Sequence, residues 1–135
     1  MRFEDITVGQ TAEYSKMITD ADVMMFAEVT GDFNPVHTDE EAAAKTRFGG
    51  RIAHGMLSAG LISAAIAGKL PGPGSIYLGQ TLKLTAPVRL DDTVTTTLEV
   101  IELLSKNRVR LATTCRNQKG ETVVEGEATV MVVNE

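Results

Sequence analysis

Hydrophobic residues recur along the chain with two periods, and the change from one to the other divides it in two. Thr11 to Ile18 alternates, which puts Ala12, Tyr14 and Ile18 on one face of a strand. Thr19 followed by Asp22 has the spacing of a capping box, and Val23, Phe26, Ala27 and Thr30 then recur at helical intervals. Gly31 is placed to stop that helix in a left-handed conformation. Asp32-Phe33-Asn34-Pro35-Val36-His37 reads as a loop, because Pro35 pushes Asn34 away from helical angles. Thr38-Asp39-Glu40-Glu41 is a second capping box, opening a short Ala-rich helix to about Lys45, and Gly49-Gly50 breaks the chain again. From Gly55 to Gly68 the spacing predicts a longer helix. Met56, Leu57, Leu61, Ile62 and Ile66 point in several directions around it, which predicts that it is apolar all round and enclosed.

Pro71-Gly72-Pro73-Gly74 ends the helical half, and the period then becomes two. Ile76, Leu78, Leu82, Leu84, Ala86 and Val88 alternate with polar neighbours. Asp91-Asp92 turns the chain into Val94 to Leu104, where a phase slip near Val100-Ile101 predicts a bulge. Ser105-Lys106-Asn107 and Asn117-Gln118-Lys119-Gly120 are the next turns, so an antiparallel meander is expected. One buried helix with such a sheet predicts a single α+β domain over residues 1–135, the sheet wrapped around the helix. Its open edges predict at least a homodimer.

Composition narrows the function. With 43% hydrophobic and 23% charged residues, the 135-residue chain is an ordinary globular one. A net charge of −5, no Trp and few other aromatics argue against nucleic acid or an anionic membrane as partner. The uncharged segment over Gly55–Gly68 is shorter than the ~20 residues that span a bilayer. Met1-Arg2-Phe3-Glu4-Asp5 puts acids where a signal peptide needs an apolar run, and the lone Cys115 suits a reducing cytoplasm.

Candidate chemistry centres on two histidines. Asp32 and His37 share one short segment, and a carboxylate and an imidazole converging on one water can move protons near neutral pH. By spacing alone the same residues also read as a helix cap followed by a turn. Ser63 either bonds to Asp32 or bonds back to the Ala59 carbonyl. Gly55 either offers a helix N-terminal N–H to a ligand carbonyl or merely relieves crowding. His54 reads as structural, closing the turn or helping to cap the helix. A hydrolase triad lacks a G-x-S-x-G elbow, a metal site lacks ligands, and Gly72-x-Gly74 precedes a strand rather than a helix.

Three runs occur in order over nearly the whole chain: Gly31-Asp32-Phe33-Asn34-Pro35-Val36-His37, Ile52-Ala53-His54-Gly55-Met56-Leu57 and Gly74-Ser75-Ile76-Tyr77-Leu78-Gly79-Gln80. Together they resemble the MaoC-like (R)-specific enoyl-CoA hydratases, above all the short PhaJ type that feeds polyhydroxyalkanoate synthesis. The resemblance implies a hot-dog fold, an antiparallel sheet around a long central helix with a short helical overhang, working as dimers or assemblies of dimers. It implies hydration of trans-2-enoyl-CoA to (3R)-3-hydroxyacyl-CoA, with no cofactor and no metal. Asp32 and His37 are then catalytic, the Gly55 N–H receives the thioester carbonyl, and Ser63 orients Asp32. Which of the two takes the water's proton and which supplies the proton at C2 stays open, with Asp32 as base and His37 as second water ligand and proton donor the preferred division. The acyl chain is expected along the central helix near Ile62 or Ile66. CoA phosphates call for cations, with Arg47, Arg51, Arg108, Arg110 and Arg116 available and none singled out. Alternatives are a (3R)-hydroxyacyl-ACP dehydratase, a hot-dog acyl-CoA thioesterase and a non-catalytic acyl-CoA-binding subunit.

Overall fold

Alternating burial builds the sheet. The computed structural model describes residues 1–133. Six strands form one antiparallel sheet: β1 (Thr11–Met17), β2 (Ile76–Gln80), β3 (Lys83–Leu84), β4 (Thr93–Leu104), β5 (Arg108–Arg116) and β6 (Thr122–Met131). Their order is β1-β4-β5-β6-β2, with β3 also on β6. Every second residue of β4 and β5 points inward: Val94, Thr96, Leu98 and Val100, then Val109, Leu111, Thr113 and Cys115. A one-residue slip would turn each of these sets to the outer face, so the register is strongly specified. The expected bulge lies between Val100 and Glu102.

The helices are α1 (Asp20–Thr30), α2 (Pro35–Thr38), α3 (Glu40–Ala44) and α4 (Gly55–Gly68). The bounds of α4 are those that its two glycines predict. It lies across β1, β4, β5 and β6 and drives Leu61, Ile62, Ala65 and Ile66 into the core. It is not enclosed all round. Met56, Gly60, Ser63, Ala64 and Ala67 recur at helical spacing along an exposed face of the single chain. The expectation of full enclosure fails because it counts hydrophobic residues without their size: this face is made mostly of small ones.

Three other expectations change. The segment 32–37 is not all loop, since Pro35 opens α2; its fixed φ suits the first helical position, and Asn34 caps the turn through Val36 N–H at 3.4 Å. In α3 the cap is Asp39, whose Oδ1 accepts from both Glu41 and Ala42 N–H at 3.1 Å, while Thr38 Oγ1 turns back to the Phe33 carbonyl. The long strand expected over 76–88 is broken into β2 and β3, with Ile76, Leu78 and Leu84 exposed and Val88 buried. No helix of the described residues is long and apolar enough to cross a membrane.

The start of α1 is the capping box that the Thr19–Asp22 spacing predicts. Thr19 Oγ1 accepts from Asp22 N–H at 3.1 Å, and Asp22 Oδ2 accepts from Thr19 N–H at 3.0 Å and from Lys16 Nζ at 3.0 Å. The Thr19 N–H above all, with Lys16, holds the Asp22 carboxyl below its ordinary range despite opposing desolvation. A carboxyl lowered in the folded state stabilises fully above its unfolded value of about 3.9, and that stabilisation is lost as pH falls through the lowered value. Asp22→Asn is therefore expected to lower stability at pH 7 in urea unfolding. The gap from the parent should narrow progressively below about pH 4; a gap that stays constant to pH 2 would contradict the assignment.

Candidate active site at the entry to the central helix

Three short segments meet where α4 begins. The first is the end of α1: Gly31 takes the left-handed φ of 83° that an L side chain disfavours, and its N–H closes on the Ala27 carbonyl. The chain can then turn sharply into Asp32. There Asp32 Oδ1 accepts from Asn34 N–H at 3.1 Å, a local turn that leaves the rest of the carboxylate exposed.

The second segment is α2, which carries His37, and the third is the extended stretch 51–53 beside it. Ile52 N–H donates to the Val36 carbonyl at 3.1 Å, and His37 Nδ1–H donates to the Ile52 carbonyl at 2.8 Å. Arg51 Nε–H donates to the His37 carbonyl at 2.6 Å, and Arg51 Nη2 reaches Asp20 Oδ1 at 2.8 Å. Ala53 N–H goes to the Val88 carbonyl at 2.7 Å, and Ile52 bridges Arg89. His37 is thus tied through 51–53 to the sheet side and through Arg51 to α1. A carbonyl only accepts, so Nδ1 carries a proton and Nε2 is the atom left for chemistry.

His54 is buried beneath this pair. Its Nε2–H donates to the Asp32 carbonyl at 3.0 Å, and its ring lies against those of His37 and Phe26, tilted by 32° and 49° with centroids 4.1 and 4.7 Å away. It makes no side-chain cap for α4. From sequence, His54 carries only a generic structural role, with its adjacency to Gly55 the available signal. Arg51, offered as a possible phosphate ligand, is spent instead on the His37 carbonyl and Asp20, with its side chain only 10% exposed.

Asp32, His37 and His54 present side-chain donor atoms within 4.8 Å of one another. Two atoms sharing one water at about 2.8 Å and a tetrahedral angle lie about 4.6 Å apart, so a carboxylate and an imidazole at this spacing can hold a water between them. The expectation that a metal lacks ligands overlooked that both histidines gather here. However, His37 Nδ1 and His54 Nε2 are already given to the Ile52 and Asp32 carbonyls, which takes one nitrogen of each ring away from any metal.

A cavity of about 290 Å³ opens at this place, lined by His37, Phe48, Ile52, Gly55, Leu84 and Ala86 among others. Gly55 is the first residue of α4, and its N–H has no acceptor among the described residues. That N–H sits where the helix dipole favours negative charge. A Cβ at Gly55 would meet Leu84 Cδ1 at 2.5 Å, so a side chain here would have to displace the end of Leu84. Ser63 is not joined to this constellation: it is exposed and makes no hydrogen bond to Asp32 or to the Ala59 carbonyl. The buried serine of α4 is Ser58, whose Oγ has no partner. Ile62 and Ile66 are core residues and do not line the cavity, whose apolar wall includes Leu84, Ala86 and Pro87.

A family model described as "MaoC like domain" matches residues 4–129. The chain is 52% identical over 131 residues to the (R)-specific enoyl-CoA hydratase of Rhodospirillum rubrum, covering 96% of this chain and 90% of that one. It is also 52% identical over 131 residues to the 3-hydroxybutyryl-CoA dehydratase of Methylorubrum extorquens, covering 96% and 83%. Its structure is similar to that of the R-hydratase PhaJ1 from Pseudomonas aeruginosa in the unliganded form, with a TM-score of 0.96 and 57% identity over 99% of this chain and 86% of that one. The wrapped sheet is accordingly the hot-dog fold.

Gly55→Ala tests the cavity. Because Leu84 is itself exposed and can swing aside, the variant is expected to fold with a melting temperature within a few degrees of the parent. Occupancy of the N–H by any oxyanion or carbonyl ligand should nevertheless fall at least tenfold, read as catalytic rate or ligand affinity. An unchanged rate would remove Gly55 from the site.

Proposed function

The chain belongs to the MaoC-like domain family, and on that basis we propose that it is an (R)-specific enoyl-CoA hydratase, interconverting trans-2-enoyl-CoA and (3R)-3-hydroxyacyl-CoA. The observation that carries the mechanism is the gathering of the Asp32 carboxylate and a His37 ring nitrogen within 4.8 Å, near an unpaired helix N-terminal N–H.

Water adds at C3 of the conjugated thioester while negative charge builds on the thioester oxygen. Asp32 accepts a proton from the water as its oxygen bonds to C3. His37, as imidazolium, holds the same water region through Nε2–H and delivers that proton to C2. The pair begins as carboxylate and imidazolium and ends as carboxylic acid and neutral ring; one proton passing from Asp32 to His37 resets it. The Gly55 N–H receives the enolate oxygen, a donor whose loss typically costs about 10²–10³ in rate. The thioester is its own electron sink, so the scheme draws on no cofactor. Fixing one face of the alkene against one water is what makes a single C3 configuration the product. Ser63 has no hydrogen bond to Asp32, and its role of orienting that carboxylate is left out of the scheme.

The working unit is proposed to be a homodimer or an assembly of dimers, in the cytoplasm. Support comes from the edge strand β2, which exposes Ile76, Tyr77 and Leu78, and from the uncharged exposed face of α4. An exposed apolar edge is a surface that a lone subunit handles poorly. The free, buried Cys115 suits a reducing compartment.

Asp32→Asn and His37→Gln are each expected to lower crotonyl-CoA hydration by about 10²–10⁴ while leaving circular dichroism and oligomer size unchanged. The parent should give only the 3R product by chiral analysis. Near-normal turnover in either folded variant, or a 3S product, would overturn the reading.

A further inference from the structure

We infer that Arg47 is the site that recognises the phosphate groups on the carrier arm of the thioester. This rests on the hydratase reading above and extends it to a residue outside the catalytic group.

The starting point is charge. The chain carries −5 overall, so a polyanionic substrate approaches a surface that repels it on average. A local cation at the cavity offsets that repulsion only if its own charge is not already matched. Around the cavity, most cations are matched or committed. Lys45 pairs with Glu41 at 3.9 Å, Arg51 with Asp20 at 2.8 Å, and Arg89 Nη1 donates to the Phe48 carbonyl at 2.5 Å. Arg47 is different. It lines the same cavity as His37 and Gly55, is exposed, and has neither a carboxylate partner nor a hydrogen bond among the described residues.

Its guanidinium lies instead over the Phe48 ring, 4.9 Å from the centroid. That contact limits the wandering of a long side chain and leaves its N–H fork open, a geometry suited to phosphate oxygens. Phe48 is itself held through its carbonyl by Arg89, so the platform under Arg47 is anchored to the segment that leads into β4. The rest of the cavity lining is mostly apolar, including Leu84, Ala86 and Pro87. Those walls suit an acyl chain and the uncharged part of a pantetheine arm, which leaves Arg47 to meet the anionic part. Phosphate oxyanions occur both on coenzyme A and on the phosphopantetheine of a carrier protein, and Arg47 addresses the chemistry that they share.

The test compares crotonyl thioesters of coenzyme A, 4′-phosphopantetheine and phosphate-free pantetheine in the parent, Arg47→Gln and Arg47→Lys. For Arg47→Gln, KM for crotonyl-CoA should rise roughly five- to tenfold with kcat within twofold, as for loss of one solvent-accessible charged contact. KM for crotonyl-pantetheine should not change. Arg47→Lys should recover part of the loss, and raising salt should raise the parent's KM for crotonyl-CoA toward that of Arg47→Gln. A rise already seen with phosphopantetheine places the contact at its phosphate; a rise with coenzyme A alone places it at the nucleotide phosphates. An equal rise on phosphate-free pantetheine, or no rise on any substrate, overturns the inference. Calorimetric binding of free coenzyme A to the parent and Arg47→Gln gives a second readout. If the parent hydrates none of the three, the hydratase reading has failed, and the CoA affinities still decide the contact: weaker binding in the variant supports it and equal binding refutes it.

Discussion

The site depends on a short ladder of hydrogen bonds that fastens a histidine to the segment between β3 and β4. His37 sits on a helix of a single turn, which would not hold a side chain in place by itself. Its Nδ1–H, its own carbonyl and the carbonyl of Val36 are all engaged by Arg51 and Ile52, and the next residue bonds to Val88. The ring is in this way given one direction, and its Nδ1 a proton, largely by backbone groups that sequence changes cannot easily remove. His54 does the same for the other half of the pair by donating to the Asp32 carbonyl and lying against the His37 ring. Its Nδ1 is buried without a partner, at a typical cost of about 1–3 kcal/mol, so the local structure gives up some stability to keep that ring where it is.

Much of this was legible from the residues. Gly55 and Gly68 bracket α4 where expected, because the uncharged run between them has no other breaker until Pro71. The inward sets of β4 and β5 follow from strict alternation, and the bulge follows from the place where the alternation slips. Asp32, His37 and Gly55 were legible through the order of three motifs, and the cavity brings His37 and Gly55 to one wall with Asp32 within a water's reach of His37.

The remainder fails for physical reasons. Alternation in Ile76, Leu78 and Leu84 reports a strand with one apolar face but not whether that face meets its own core, and here it does not. Pro35 does hold Asn34 away from helical angles, as expected, but proline is also well suited to starting a helix, so residues 35–37 are not loop. Arg51 carries no local signal at all: its partners Asp20 and the His37 carbonyl are remote in sequence and are met only after folding. Ser63 lies outside the three motifs and is carried over only by its position on the central helix; the single chain leaves it exposed and without a hydrogen bond.

The most direct measurement is a crystal structure of the Asp32→Asn protein soaked with trans-2-enoyl-CoA. The expected density shows one water within hydrogen-bonding distance of both the residue 32 side chain and His37 Nε2, facing C3, with the thioester oxygen on the Gly55 N–H. A thioester oxygen seated elsewhere, or an alkene with no water between those two side chains, would contradict the account.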